Sequence, residues 1–205
     1  MIAAILLSAA LSTTTPVVPD LDARLSRWKR VEMPFTMDDF TPREKVLVTE
    51  LVAACRDLEG IYWRQIDPQD IALYRKLRAS GDADDRKLAR FLWINGGRWD
   101  LLAGNEPFIG RDPMPPGNAL YPKGITREDI EAYVKAHPAQ KDAIYSERTV
   151  VGLVSRSPLK LKATPYHVAY RQWLEPAAAH LRKAAAASDD RAFAKHKAAI
   201  DRAKS

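Results

Sequence analysis

Residues 41–65 read TPREKVLVTELVAACRDLEGIYWRQ, and this stretch decides the fold class. Thr41, Pro42 and Glu44 form a helix start: a threonine cap, a proline at the first helical position, and a glutamate placed to accept from the cap amide. Leu47, Leu51, Cys55, Leu58 and Tyr62 then recur at helical spacing, which predicts a helix to about Gln65 at the centre of a helical core. Outward from it the pattern stays helical. Asp20 to Met33 predicts a short helix with Leu21, Leu25 and Trp28 on one face, closed by Pro34. Asp67-Pro68 predicts the start of a helix through Leu73, Tyr74 and Leu77 to Gly81, and Asp84-Asp85 the first turn of another, with Leu88, Phe91, Leu92 and Trp93 inward, ending at Gly96-Gly97.

Trp99 to Gly124 changes character. Repeated proline and glycine forbid a long helix, yet Trp99, Phe108, Met114, Leu120 and Tyr121 are too apolar for a free loop, so the segment is expected to pack on the helices. Thr126 with Asp129 caps a further helix carrying Ile130, Tyr133 and Val134. The period then drops to two: Thr149 to Val154 and Leu159 to Thr164, joined by Ser155 to Pro158, predict a β-hairpin. A two-stranded ribbon alone is marginal in water, so it must lie on the helices or pair with strands elsewhere. Val168 to about Ala187 predicts a last helix with Trp173, Leu174, Ala177, Leu181 and Ala184 on one face and a kink at Pro176. The fold class is mainly α, a helical lobe with one β-hairpin and a long Pro/Gly/aromatic loop.

Composition narrows the function classes. With 46% apolar and 28% charged residues over 205 positions, the chain is globular rather than disordered or collagenous. The formal charge of +6 is not spread: residues 1–140 hold 19 basic against 20 acidic groups, residues 141–205 hold 13 against 6. The basic excess ends in residues 188–205, an alanine-rich tail without aromatic interleaving, which reads as a solvated face; no nucleic acid partner is expected. One cysteine, Cys55, excludes an internal disulfide and a multi-cysteine zinc site, and its place on the apolar stripe predicts a buried structural thiol. His137, His167, His180 and His196 show no i, i+4 metal pair. Residues 1–19 contain MIAAILLSAALS, the length of a signal-peptide apolar region, which predicts a secretory leader, a lobe over 20–187, no membrane span in the mature chain, and a periplasmic or secreted protein. No catalytic, cofactor-binding or metal-binding residue is assigned. The loop supplies the candidate cleft wall: Asn105, Phe108, Met114 and Tyr121.

Five strings carry a resemblance: RVEMPF (Arg30–Phe35), ACRDLEGIYWRQIDP (Ala54–Pro68), FLWINGGRWDLLAGNEPFIG (Phe91–Gly110), DPMPPGNALYPKGITREDIEAYVKAHP (Asp112–Pro138) and TPYHVAYRQWLEPAA (Thr164–Ala178). Together they resemble the N-terminal part of bacterial proteins related to dipeptidyl peptidase III, sometimes labelled zinc-dependent or Nudix-like hydrolases. The resemblance implies a two-lobed, mostly helical metallopeptidase that removes dipeptides from peptide N-termini, with substrate between the lobes. It implies zinc on a His-Glu-x-x-x-His helix and a further glutamate, where a bound water is activated. Neither motif occurs here, so no catalytic residue is carried over. The expectation is an N-terminal lobe truncated before the zinc motifs: one wall of a peptide cleft, inactive alone, with no cofactor of its own although zinc is expected for the full-length family, and self-associating through an exposed lobe interface. The alternative is a secreted peptide- or protein-binding module without catalysis.

Overall fold

The structure is a computed structural model that describes residues 16–190. The leader read at 1–19 lies outside the described residues up to residue 15, and the tail read at 188–205 from residue 191 onward. The architecture is mainly α: eight α-helices among the described residues, a β-hairpin and a minimal second strand pair. No helix among them is long and apolar enough to cross a membrane.

Helix α2 (Pro42–Ile66) starts as the sequence predicts: Thr41 Oγ1 accepts from the Glu44 amide and Glu44 accepts from the Thr41 amide, a complete capping box. Its buried face differs from the prediction. Ala54, Ile61 and Trp63 are buried, whereas Cys55, Leu58 and Tyr62 are exposed. The reason lies in α8 (Arg171–Ala187), which packs along α2 through small residues, Ala177, Ala184 and Ala185 being buried. A Cβ on Gly60 would stand 2.9 Å from the Trp173 ring, so glycine is what lets that indole sit against the α2 backbone. Arg64 lies over the same ring at 4.0 Å. Cys55 is therefore not the buried thiol expected; it sits on the face that α8 leaves open.

Helix α1 covers only Leu21–Ser26, shorter than the predicted helix to Met33. Leu25 is buried and Leu21 and Trp28 pack on the same cluster, and Pro34 biases Met33 to extended backbone. Helix α3 (Asp70–Ala79) begins three residues after Asp67, whose side chain accepts from the Gln69 amide in a turn ahead of the helix. Helix α4 (Ala83–Asn95) is capped by Asp82 and ends at Gly96 in the left-handed region, φ 66°. Leu88, Phe91 and Leu92 are buried as predicted, but Trp93 is 48% exposed, forming an aromatic group with Trp63 and Tyr74.

These elements make one core: Leu25, Trp63, Leu77, Leu88, Phe91, Leu92, Phe108 and Ile109. The loop joins it through β1 (Trp99–Asp100) paired antiparallel with β2 (Glu106–Pro107), and Val17 bridges Ile109. Pro16 and Val18, which the sequence reading places in the leader, extend that bridge: the Gly110 amide donates to Pro16 O and the Val18 amide to Phe108 O. Buried Asp100 accepts from Arg24 Nη1 and Arg27 Nη2, each at 2.8 Å, fixing α1 to the strand pair. Burial pushes its carboxyl up, but the Arg24 and Leu102 hydrogen bonds and the two arginine charges hold it below the ordinary carboxylate value.

A second core contains Ile130, Tyr133, Val134, Ile144, Val151 and Leu161. It joins α5 (Arg127–Ala136) and α6 (Lys141–Ile144) to the hairpin β3 (Thr149–Arg156) and β4 (Leu159–Pro165). Thr126 and Asp129 form the predicted capping box. The hairpin follows its period: Leu161 is buried, Lys160 and Lys162 are exposed, and its inner face lies on the helices. Helix α7 (Tyr166–Ala169) is separated from α8 by Tyr170, a break the sequence did not announce, and Pro176 lies within α8.

Candidate functional site

The end of α2 creates a concavity. Asp67 precedes Pro68 and adopts extended backbone, so the helix stops and the chain turns into α3. This brings Asp70 onto Arg98: Arg98 Nε donates to Oδ1 at 2.8 Å and its amide to Oδ2 at 3.1 Å. Asp70 has no exposed surface, and burial pushes its carboxyl above the ordinary value, with Arg98 opposing. Asp67 approaches the same guanidinium at 3.6 Å. Trp99 is 2% exposed and its Nε1 donates to Asp112 O at 3.0 Å, tying the loop to this floor.

The loop then folds over the floor. Gly117 and Asn118 take left-handed backbone at φ 74° and 53°, turning the chain into a 3-10 turn at Asn118–Leu120. Tyr121 leaves that turn, lies against the second core, and donates to Ile144 O at 3.0 Å. Burial pushes its phenol up. Between floor and loop lies a cleft of about 410 Å³, lined by Ile66, Pro68, Gln69, Trp99, Pro113, Pro115 and Tyr121, with Asp67, Arg98, Asp112 and Lys123 as its charges. Lys123 pairs with Asp112 at 2.7 Å and holds that carboxyl below its ordinary value. Both groups are mostly exposed, so the pair contributes little to stability. Arg98 is already engaged by two carboxylates. The remaining lone pairs of Asp67 and Asp112 suit N–H or ammonium groups, and the proline and tyrosine walls suit an apolar stem.

The four residues expected to form a cleft wall separate. Tyr121 lines the cleft. Met114 is half-buried between Pro113 and Pro115 without lining it. Asn105 is exposed at the turn between β1 and β2, its backbone at φ 64° and its amide donating to Asp100 O, away from the cleft. Phe108 is a correction: it has no exposed surface and its ring centroid lies 4.6 Å from that of Phe91, because the strand pair turns it into the core. Arg98, Asp112 and Lys123 escaped the sequence reading; their ion-pair partners are the only signal, and Asp70 lies 28 residues from Arg98.

Among the described residues no three His, Cys, Asp or Glu side chains form a group able to hold a metal ion, so the residues present do not fit zinc. His180 instead pairs with Glu50, 130 residues away, joining α8 to α2, and the hydrogen bond from His180 holds the Glu50 carboxyl low. His137 stacks on Tyr133, with ring centroids 4.2 Å apart, and His167 is exposed.

No protein-family model matches the chain, and no curated protein matches it. Solved structures do. Dipeptidyl peptidase III from Caldithrix abyssi superposes with a TM-score of 0.81 at 29% identity, covering 89% of this chain and 34% of that one. Dipeptidyl-peptidase III from Corallococcus sp. strain EGB superposes at 0.80 with 24% identity, covering 93% and 36%, which speaks for the fold. This chain thus spans about a third of the length of these structures. The likeness relates it to dipeptidyl peptidase III.

Proposed function

We propose that the chain is the N-terminal lobe of a dipeptidyl-peptidase III-like zinc hydrolase, forms one wall of its peptide cleft, and has no hydrolysis of its own. The observation that carries this reading is the superposition on the Caldithrix abyssi enzyme over 89% of the chain. The cleft beside Tyr121 supplies the wall: Asp67 and Asp112 receive amino or amide N–H groups and the prolines an apolar side chain. Zinc belongs, on this reading, to the remainder of such an enzyme. The test is to measure zinc by elemental analysis and dipeptide release from a peptide library with the purified chain. The expected result is neither; stoichiometric zinc, or released dipeptides, would overturn the reading.

The alternative, a secreted peptide-binding module, draws on the same cleft, which this chain builds from its own residues. Micromolar binding of short peptides, abolished by Asp67→Ala with Asp112→Ala, would favour it over a wall that needs its opposite lobe. Export to the periplasm or medium belongs to either reading. A cleavage ahead of Pro16 would preserve the bridge from Val17 to Ile109, and N-terminal sequencing of exported protein checks it. The open face of α2, with Val52 44%, Leu58 42% and Tyr62 48% exposed, is the surface through which the chain alone self-associates. A concentration-independent monomer in sedimentation would contradict that.

A further inference from the structure

The stretch between α1 and α2 behaves unlike the rest of the molecule. Arg30–Phe35 belongs to no helix or strand, and among the described residues none of its amides makes a backbone hydrogen bond. Its apolar side chains alternate: Val31 is 75%, Met33 86% and Phe35 66% exposed, with Arg30, Glu32 and Pro34 between them. Apolar residues at every second position in a segment outside the helices are the pattern of a strand with one face to bury. Just ahead of it, Trp28 Nε1 is a buried donor with no partner among the described residues. A buried indole N–H normally finds an acceptor, so this one awaits a water or a further part of the polypeptide beside the start of the segment.

We infer that Arg30–Phe35 is an edge strand that docks by backbone pairing onto a strand in the part of a dipeptidyl-peptidase III-like polypeptide beyond the third this chain matches. The inference rests on the lobe reading above. The occupant follows from length: about two thirds of each solved relative's chain lies beyond the matched part, and the strip offers backbone donors as well as apolar side chains, which a sheet edge takes up together. Pro34 fixes the edge used. Alternate residues of a strand pair to opposite sides, so Pro34, which has no N–H, spoils the side shared by Arg30 and Glu32. The pairing side is that of Val31, Met33 and Phe35.

Residue-resolved amide exchange tests this on the chain alone and on the chain joined to the portion of the Caldithrix abyssi enzyme beyond its match. In the chain alone, the amides of residues 30–33 and 35 should exchange within about tenfold of unstructured rates, and in the joined protein Val31, Met33 and Phe35 should slow roughly 100-fold or more while Arg30 and Glu32 do not. A folded joined protein with all of them fast, or with the opposite parity, overturns the inference. Protection that grows with concentration in the chain alone also overturns it, by making a second copy the occupant. Should the joined protein not fold, the aligned segment of the full-length Caldithrix abyssi enzyme decides: protected amides support the inference and free exchange rejects it. Failure of the lobe reading shows separately, as zinc or dipeptide release by the chain alone.

Discussion

Phe108→Ala separates a cleft residue from a core residue. Phe108 has no exposed surface, lies edge-on to Phe91, and belongs to the buried cluster that includes Leu25, Leu88 and Ile109. An aromatic side chain buries at least about 150 Å², which at roughly 25 cal/mol per Å² is near 4 kcal/mol; alanine returns part of it, and the cavity left behind adds a cost, so about 3–5 kcal/mol is expected. For a chain of this size each kcal/mol shifts the midpoint by roughly 2–4 °C, giving a drop of about 6–20 °C. The backbone bonds of this position survive: its amide still donates to Arg98 O and its carbonyl still accepts from Val18. The loss should therefore appear as stability with an unchanged strand pair, read by urea titration of the chain with tryptophan fluorescence. A loss below about 1 kcal/mol, the level of a surface change, would refute the placement of Phe108 in the core.

Other consequences follow from the same geometry. Gly60→Val should push Trp173 off α2 and cost about 1–3 kcal/mol, because the added atoms start 2.9 Å from the ring; an unchanged denaturation midpoint would count against the close α2–α8 contact. Asp100→Asn breaks a buried ion pair, with an expected loss at neutral pH of about 3 kcal/mol. The Asp100 carboxyl is lowered in the folded chain, so its contribution is complete above the unfolded value near 3.9 and disappears as pH falls through the folded value; the two stability curves should converge in acid, and parallel curves would contradict this. Cys55 is exposed, so the native chain should react with a disulfide reagent within about tenfold of the urea-unfolded rate, and protection in dilute solution would show that the α2 face is already covered.

The elements legible in the sequence were those decided by neighbouring residues. The capping boxes at Thr41 and Thr126 and the alternation of Leu159, Leu161 and Ala163 act over a few positions, and the structure keeps all three. The buried face of α2 was not legible for the opposite reason. A stripe of leucine, cysteine and tyrosine looks like a core face, yet the buried positions are Ala54, Ile61 and Trp63, and it is Gly60 that lets Trp173 of α8 approach. Small residues contribute by what they permit, and the residue that uses the space, Trp173, lies far along the chain. Cys55, Leu58 and Tyr62 thus belong to an apolar stripe that α8 does not cover, whereas Leu47 and Leu51 are half-buried.

The loop shows the same division within one segment. Its composition marks it as packed, but which aromatic turns inward depends on pairing that no local signal announces. Phe108 is drawn into the core by β2 and by Val17 and Val18, a stretch whose apolar character points equally well to a leader. Tyr121 escapes because Gly117 and Asn118 reverse the chain before it, and its hydroxyl then finds Ile144 O in the other core. The cleft lies between these outcomes, its floor set by the Asp67-Pro68 break and the Asp70–Arg98 pair, its roof by the turn at Gly117. Of its lining, Trp99 is buried and Tyr121 packs against the second core, so under the proposed function these two surfaces are in place before a peptide binds, which lowers the ordering cost of holding it. If the cleft serves instead as an incidental gap, Tyr121→Phe, which removes only the bond to Ile144 O, should leave the loop and any peptide affinity unchanged; as a wall held in place by that bond, it should lose affinity while the fold persists.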